Sequence, residues 1–172
     1  TRQDYQDLTR DMLGLPSISH PNTPLPGLDV LLGAGWGDNL ETDPGQGSNF
    51  VPGNRYLTNR DLAKLGQRYE IAMRTPRQQG GPLLARATTR AITSGRRLFG
   101  YFGTKRSHLP FATADGSFNP VSALKEVETY TSGDVTENPT LAEMTKSALR
   151  ILDSRDSRFW LMVEAGDVDC AN

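Results

Sequence analysis

Glu164 and Asp169 stand five residues apart directly after the apolar run Phe159–Val163, with Gly166 between them. In open α/β sheets ligands bind outside the carboxyl ends of the strands, and a glycine there lets the chain turn back on itself. Two carboxylates aimed at one point repel unless they are protonated or bridged by a cation. Hard divalent cations take such oxygens, and zinc accepts them too. The pattern therefore offers metal ligation. It also fits ordinary turn chemistry, in which Gly-Asp simply follows a strand. Asp167 has no feature that prefers it as a ligand.

Other residue groups offer less. Gly33-Ala34-Gly35-Trp36-Gly37 follows a short apolar run. A nucleotide-binding loop needs G-x-G-x-x-G opening a helix, and here the third glycine is one residue early and no helical pattern follows. A turn with close backbone packing is the favoured assignment. His20 lies in a proline-rich stretch and is expected to be solvated. His108, in Ser107-His108-Leu109-Pro110, suits a structural hydrogen bond better than a pocket. Two histidines are too few for the usual complete zinc site. Cys170 has no neighbouring base to activate it and is taken as non-catalytic.

Charge is distributed unevenly. From Ile71 to Ala114 there is no acid, while Arg74, Arg77, Arg86, Arg90, Arg96, Arg97, Lys105 and Arg106 give eight positive charges. The rest carries 11 bases against 20 acids, so the whole chain has a net charge of -1. Phe99, Tyr101, Phe102 and Phe111 interleave the basic block, as in single-strand nucleic-acid binders. A pI near 6.1 argues against nucleic acid as a partner. Anion binding by the block stays open, but a solvated face, or pairing with the acidic remainder, is preferred.

These residues need elements to position them. Residues 1–14 are weakly helical, with Tyr5, Leu8 and Met12 at 3–4 spacing. Leu15–Gly27 holds four prolines and must be loop. Leu28–Leu32 is a short buried strand, and Gly33–Gly53 an irregular excursion. Thr58 and Asp61 make a capping box, and Leu62, Leu65, Tyr69 and Ala72 predict a helix over 59–73. Gly80-Gly81-Pro82 breaks the chain. Arg97–Phe102 is a strand. Thr104–Asn119 shows no periodicity, and Val121–Tyr130 is ambiguous. A helix is then capped either by Asn138, with Pro139 in its first position, or by a Thr140–Glu143 capping box. Leu141, Met144, Ala148, Ile151 and Leu152 give it one apolar stripe that ends near Asp153–Ser157. Phe159–Val163 is predicted to be a strand buried on both faces. Helix followed by buried strand favours an α/β fold with parallel pairing.

Length and composition bound the whole. The chain has 172 residues, 36% of them hydrophobic, and Gly 17 with Pro 11 make up about a sixth of it. That is enough for one domain, with a lean core. No apolar run approaches the ~20 residues of a membrane span. The polar start, without signal peptide or initiating Met, leads to the expectation of a processed product or excised segment.

The block Asn138-Pro139-Thr140-Leu141-Ala142-Glu143-Met144-Thr145, an amphipathic helix, and Phe159-Trp160-Leu161-Met162-Val163-Glu164-Ala165-Gly166-Asp167-Val168-Asp169 together resemble the bacterial alkaline phosphatases. Leu28–Gly35 is similar to that family's strand ending in a glycine cluster. Leu98–Phe102 with Ser107–Phe111 is similar to another of its strand-and-loop segments. The three blocks fall in family order, and residues 38–97 match only loosely.

The resemblance implies a partial alkaline-phosphatase-like sheet with flanking helices, and a single partial α/β domain over 1–172 with 38–97 as a loop-rich insertion. It implies phosphate monoester hydrolysis by a parent enzyme using zinc and magnesium, with Glu164 on magnesium and Asp169 on zinc. Two zinc ions can hold the attacking and leaving oxygens of phosphoryl transfer. It also implies a periplasmic or extracellular setting. The lack of an apolar span argues against a membrane partner, and the sequence leaves room for a homo-oligomer.

The family's Asp-Ser nucleophile, its phosphate-clamping Arg and a zinc-binding His four residues past Asp169 have no counterpart here, so no catalytic residue is assigned. Metal binding by the chain alone is expected to be weak or absent, and its phosphatase activity negligible. The alternative is a non-catalytic binding or assembly domain on the same scaffold.

Overall fold

A computed structural model describes residues 5–34, 57–104, 109–110, 112, 116–118 and 130–165. Within them lie α1 (Tyr5–Met12), β1 (Val30–Gly33), α2 (Asn59–Leu65), β2 (Tyr69–Met73), α3 (Gly80–Ser94), β3 (Arg97–Tyr101), α4 (Ser132–Glu137) and α5 (Leu141–Asp153). The three strands form one parallel sheet in the order β1-β3-β2. The fold is thus α/β with parallel pairing, as the sequence predicts.

β3 is central, and its alternation divides the core in two. Leu98 points to one face, where Val30, Leu32 and Ala72 join it beneath Leu84, Ala87 and Ala91 of α3 and Met144 and Ile151 of α5. Phe99 and Tyr101 point to the other, where Tyr69, Ile71 and Met73 meet Leu62 and Leu65 of α2 together with Leu13 and Leu15. This period-2 division is what a sheet covered on both faces requires. β2, α3 and β3 make one parallel strand–helix–strand unit.

Two expectations fail within this unit. The predicted helix over 59–73 ends at Leu65, and Tyr69–Met73 is a strand. Leu62, Leu65, Tyr69 and Ala72 do repeat at 3–4 spacing, but Tyr69, Ile71 and Met73 also alternate. Parallel pairing of Tyr69–Met73 with Arg97–Tyr101 satisfies the backbone in the second pattern. Gly80-Gly81-Pro82 does not break the chain but opens α3. Proline is tolerated there because first-turn N–H groups have no intrahelical acceptor. A Cβ on Gly80 would lie 2.4 Å from the Asn138 carbonyl carbon and 2.6 Å from the Glu137 oxygen, so only glycine lets α3 start against this backbone. α3 ends at Gly95 in the left-handed conformation (φ 65°), whose N–H caps the Ala91 and Ile92 carbonyls.

The capping alternatives also separate. Thr140 caps α5, and its hydroxyl accepts from the Glu143 N–H while the Glu143 carboxylate accepts from the Thr140 N–H. Asn138 is buried instead as a staple, its Oδ1 accepting the Gly103 N–H at 2.7 Å and its Nδ2 donating to the Asp134 carbonyl at 2.8 Å.

A third expectation fails after α5. Residues 158–165 form no strand, and Phe159, Trp160, Met162 and Val163 are exposed, Trp160 at 79%. A strand apolar on both faces is stable only with neighbours and cover on each side. No described strand lies beyond β1 to provide them.

Two buried ion-pair groups join distant segments. Arg10 donates two hydrogen bonds to Asp61, at 2.8 and 3.2 Å, tying α1 to α2. Arg74, with only 8% of its side chain exposed, reaches Asp134 at 2.8 Å, Glu137 at 2.9 Å and the Gly103 carbonyl at 2.8 Å. Burial pushes the Asp61 carboxyl up, but the Arg10 hydrogen bond, the Thr58 N–H and hydroxyl and the Arg10 charge together hold it below its ordinary value. Burial likewise raises Asp134, and the Thr131 N–H and hydroxyl with the Arg74 guanidinium bring it below its ordinary value.

Depressed folded values stabilise the protein above the unfolded carboxylate range of about 3.9, and that contribution disappears as pH falls through the lower folded values. The urea midpoint is therefore expected to be flat from neutral pH to about pH 5 and to fall below about pH 4, with a shallower fall in the Asp61→Asn, Asp134→Asn double variant. Gly80→Ala should lower the unfolding free energy by about 1–3 kcal/mol, measured by the same denaturation, because the added methyl meets backbone rather than a movable side chain.

Candidate functional site

The carboxyl ends of β2 and β3 are where an α/β sheet presents its ligand-binding residues. Here that edge is fastened by α4. Arg74 follows β2, Gly103 and Thr104 follow β3, and the Arg74 fork and the Asn138 amide bind both to α4. Thr131 and Asp134 close a capping box at the start of α4, so the Asp134 carboxylate serves its own helix and Arg74 together. Glu137 accepts from Arg74 through one oxygen and from the Arg77 N–H through the other. Arg77 takes φ 65°, unusual for a residue with a side chain, and this hydrogen bond helps hold it there. Among the described residues these charges pair with one another, and the assembly positions α4 and, through it, the start of α5.

The sequence did not single out this network. Two signals for it were present: an arginine opening a long acid-free stretch, and the Thr131-x-x-Asp134 cap.

α5 runs back along the sheet and ends at the opposite edge. Arg155 lies 3.4 Å from Asp29, just before β1, and donates to the Arg96 carbonyl, just before β3, at 3.0 Å. The chain leaves this amino edge and reaches Glu164, which is exposed. Asp169, Gly166, Asp167 and Cys170 lie outside the described residues, so the structure does not test whether Glu164 and Asp169 converge. Among the described residues no three of His, Cys, Asp or Glu are grouped to hold a metal ion. Glu164 is a hard-oxygen donor of the right chemistry, but alone it is one ligand and does not make a site.

His20 is better anchored than the sequence predicts. Its Nδ1 is 3.1 Å from both Asp11 carboxylate oxygens, and its N–H donates to the Ser17 hydroxyl. The side chain is partly exposed rather than fully solvated. His108 and Gly35–Gly37 lie outside the described residues. Gly33 ends β1, and its carbonyl accepts the Phe102 N–H.

The basic block resolves mainly into internal pairs. Besides Arg74, both Arg90 and Arg96 reach Glu70, at 2.5 and 3.2 Å. Arg97 lies 3.5 Å from Asp29 and sits over the Tyr69 ring at 5.8 Å. Phe99, Tyr101 and Phe102 are buried in the core and offer no stacking platform. Pairing with the acidic remainder, one of the two readings the sequence prefers, accounts for these arginines. Lys105, Arg106 and Phe111 lie outside the described residues. No helix among the described residues is long and apolar enough to cross a membrane.

Comparison with known proteins adds one finding. The family model for alkaline phosphatase matches residues 113–172. Neither the curated proteins nor the solved structures yield a match. The matched segment is about a third of the chain and contains α4, α5, Glu164 and Asp169. The resemblance read from the sequence in α5 and the carboxylate-bearing end of the chain thus falls within the part the family model covers, and residues 113–172 are similar to the alkaline phosphatases.

Proposed function

We propose that this chain supplies part of the metal-dependent catalytic unit of an alkaline phosphatase acting on phosphate monoesters. The observation that carries the reading is the family match over 113–172, which includes both predicted ligands, Glu164 and Asp169. In this reading Glu164 holds magnesium and Asp169 zinc, and the metals supply charge stabilisation for phosphoryl transfer. The chain's own residues do the positioning. Arg74 and Asn138 fix α4, the Thr140–Glu143 box starts α5, and Arg155 ties the chain after α5 to the amino end of β1. From Arg158 the chain takes six residue steps to reach Glu164, which at about 3.3 Å per residue is a run of roughly 20 Å. A parallel passage beside β1 would carry Glu164 to the carboxyl edge, where ligands bind.

The single partial domain over 1–172 and the periplasmic or extracellular setting belong to the same proposal. The exposed apolar run from Phe159 to Val163 is the specific observation behind a second reading, that of an assembly module. Phe159, Trp160, Met162 and Val163, exposed close together, have the character of a contact surface.

The test is turnover of p-nitrophenyl phosphate with zinc and magnesium. The 172-residue chain alone is expected to stay at background. In a protein joining this segment to a nucleophile-bearing portion, Glu164→Gln and Asp169→Asn should each lower kcat/KM at least tenfold, since even residues that merely support metal ligands cost about that much. Full turnover by the chain alone contradicts the proposed incompleteness, and undiminished turnover in both variants contradicts the ligand assignment.

A further inference from the structure

Among the described residues β2 is an edge strand, and none of them pairs with the outer side of its backbone. The Arg97 N–H donates to the Arg68 carbonyl, and the Arg74 N–H to the Tyr101 carbonyl. In a parallel ladder these two bonds fix the phase, so residues 68, 70, 72 and 74 bond to β3 while the backbones of Tyr69, Ile71 and Met73 point outward. The Met73 carbonyl is taken by the Thr75 hydroxyl at 3.0 Å. The N–H and carbonyl of Ile71 and the N–H of Met73 have no hydrogen-bond partner among the described residues. Such an edge is a template for an added strand.

The surroundings of this edge are unusual in two respects. First, it lies in a cleft of about 420 Å³ between the helices of the two layers, with Leu62 of α2 on one side and Leu83 of α3 on the other. Ile71 and Met73 are half-buried in its floor. Second, the α3 wall is cationic. Arg86 and Arg90 line the cleft. Arg90 shares the one Glu70 carboxylate with Arg96. Arg86 is exposed and has no carboxylate within ion-pair distance among the described residues. The cleft continues over α3 to Arg150 of α5, which lines a shallow neighbouring hollow with Arg86 and Arg90. Among the described lining residues, positive charge therefore exceeds negative on the α3 side of the strand edge.

We propose that the open edge of β2, between Leu62 and the Arg86–Arg90 wall, docks an extended acidic peptide that adds a fourth strand to the sheet. Main-chain bonds to Ile71 and Met73 would provide the register. Alternate apolar side chains of the peptide would enter the cleft, and its carboxylates would face Arg86 and Arg90. This is strand addition with side-chain selectivity. The site is separate from Glu164 and does not depend on the phosphatase reading.

The test uses the full 172-residue chain, isotopically labelled for amide NMR, titrated with three hexapeptides of alternating Glu-Val, Lys-Val and Glu-Gly. The Glu-Val peptide is expected to bind saturably, to shift the Ile71 and Met73 amides and to slow their hydrogen exchange. Binding should weaken at least tenfold in Arg86→Glu, a surface substitution that leaves the core intact. The Lys-Val peptide should not bind to the parent chain. Equal binding of Glu-Gly and Glu-Val would mean attraction by charge alone and would overturn the proposal. So would unmoved Ile71 and Met73 amides at saturation, or an Arg86→Glu variant of unchanged affinity. Slow exchange at these amides without peptide, rising with protein concentration, would show a second copy in the cleft and would also overturn it.

Discussion

The guanidinium of Arg74 holds the two halves of the structure together. It leaves the end of β2, is largely shielded from water, and donates to two carboxylates of α4 and the carbonyl that follows β3. A lone buried charge would be costly, and so would two facing carboxylates without a cation. Each group is tolerable only because the others are in place. The constraint fixes α4 over the carboxyl edge, and Asn138, the next residue, is stapled to the same carbonyl and amide of Gly103. Three residues later α5 begins, and its Met144, Ala148 and Ile151 face lands on the sheet beside α3. The placement of α4 and α5 follows from this junction.

The same junction explains why α3 begins with glycines. Gly80 packs against the backbone of Glu137 and Asn138 so closely that no Cβ fits. The two helices covering one face of the sheet are therefore seated by one contact: backbone against Gly80 for α3, and the Asn138–Thr140 turn for α5. The opposite face is organised by the Arg10–Asp61 pair, which joins α1 to α2 across an interval of 51 residues. A lean sequence thus uses a few buried ion pairs where a larger core would use apolar contact.

Much of this was legible in the residues. Capping boxes announced α2 and α5, and the buried run Arg97–Phe102 announced the central strand. The alternation Tyr69-Ile71-Met73 was legible too, but it competed with helical spacing across the same stretch, and only the pairing with β3 decides between them. Pro82 misled because proline has opposite meanings in a helix's first turn and in its interior. Phe159–Val163 has the composition of a buried strand, yet burial depends on neighbours, and those are not a property of the run itself. Of the two candidate ligands the structure describes Glu164, exposed after that run, and the family match spans both. The Arg74 network escaped the sequence because its partners lie 60 and 63 residues away.

The proposed function stands on the claim that Glu164 and Asp169 approach a single cation cluster. Amide and side-chain NMR of the 172-residue chain with added Mn²⁺, a paramagnetic stand-in for magnesium, measures that approach even when binding is weak. The account predicts broadening centred on both Glu164 and Asp169, diminished at each when the other is replaced by alanine. Broadening at Glu164 that is indifferent to Asp169→Ala, or centred on other carboxylates, would contradict it.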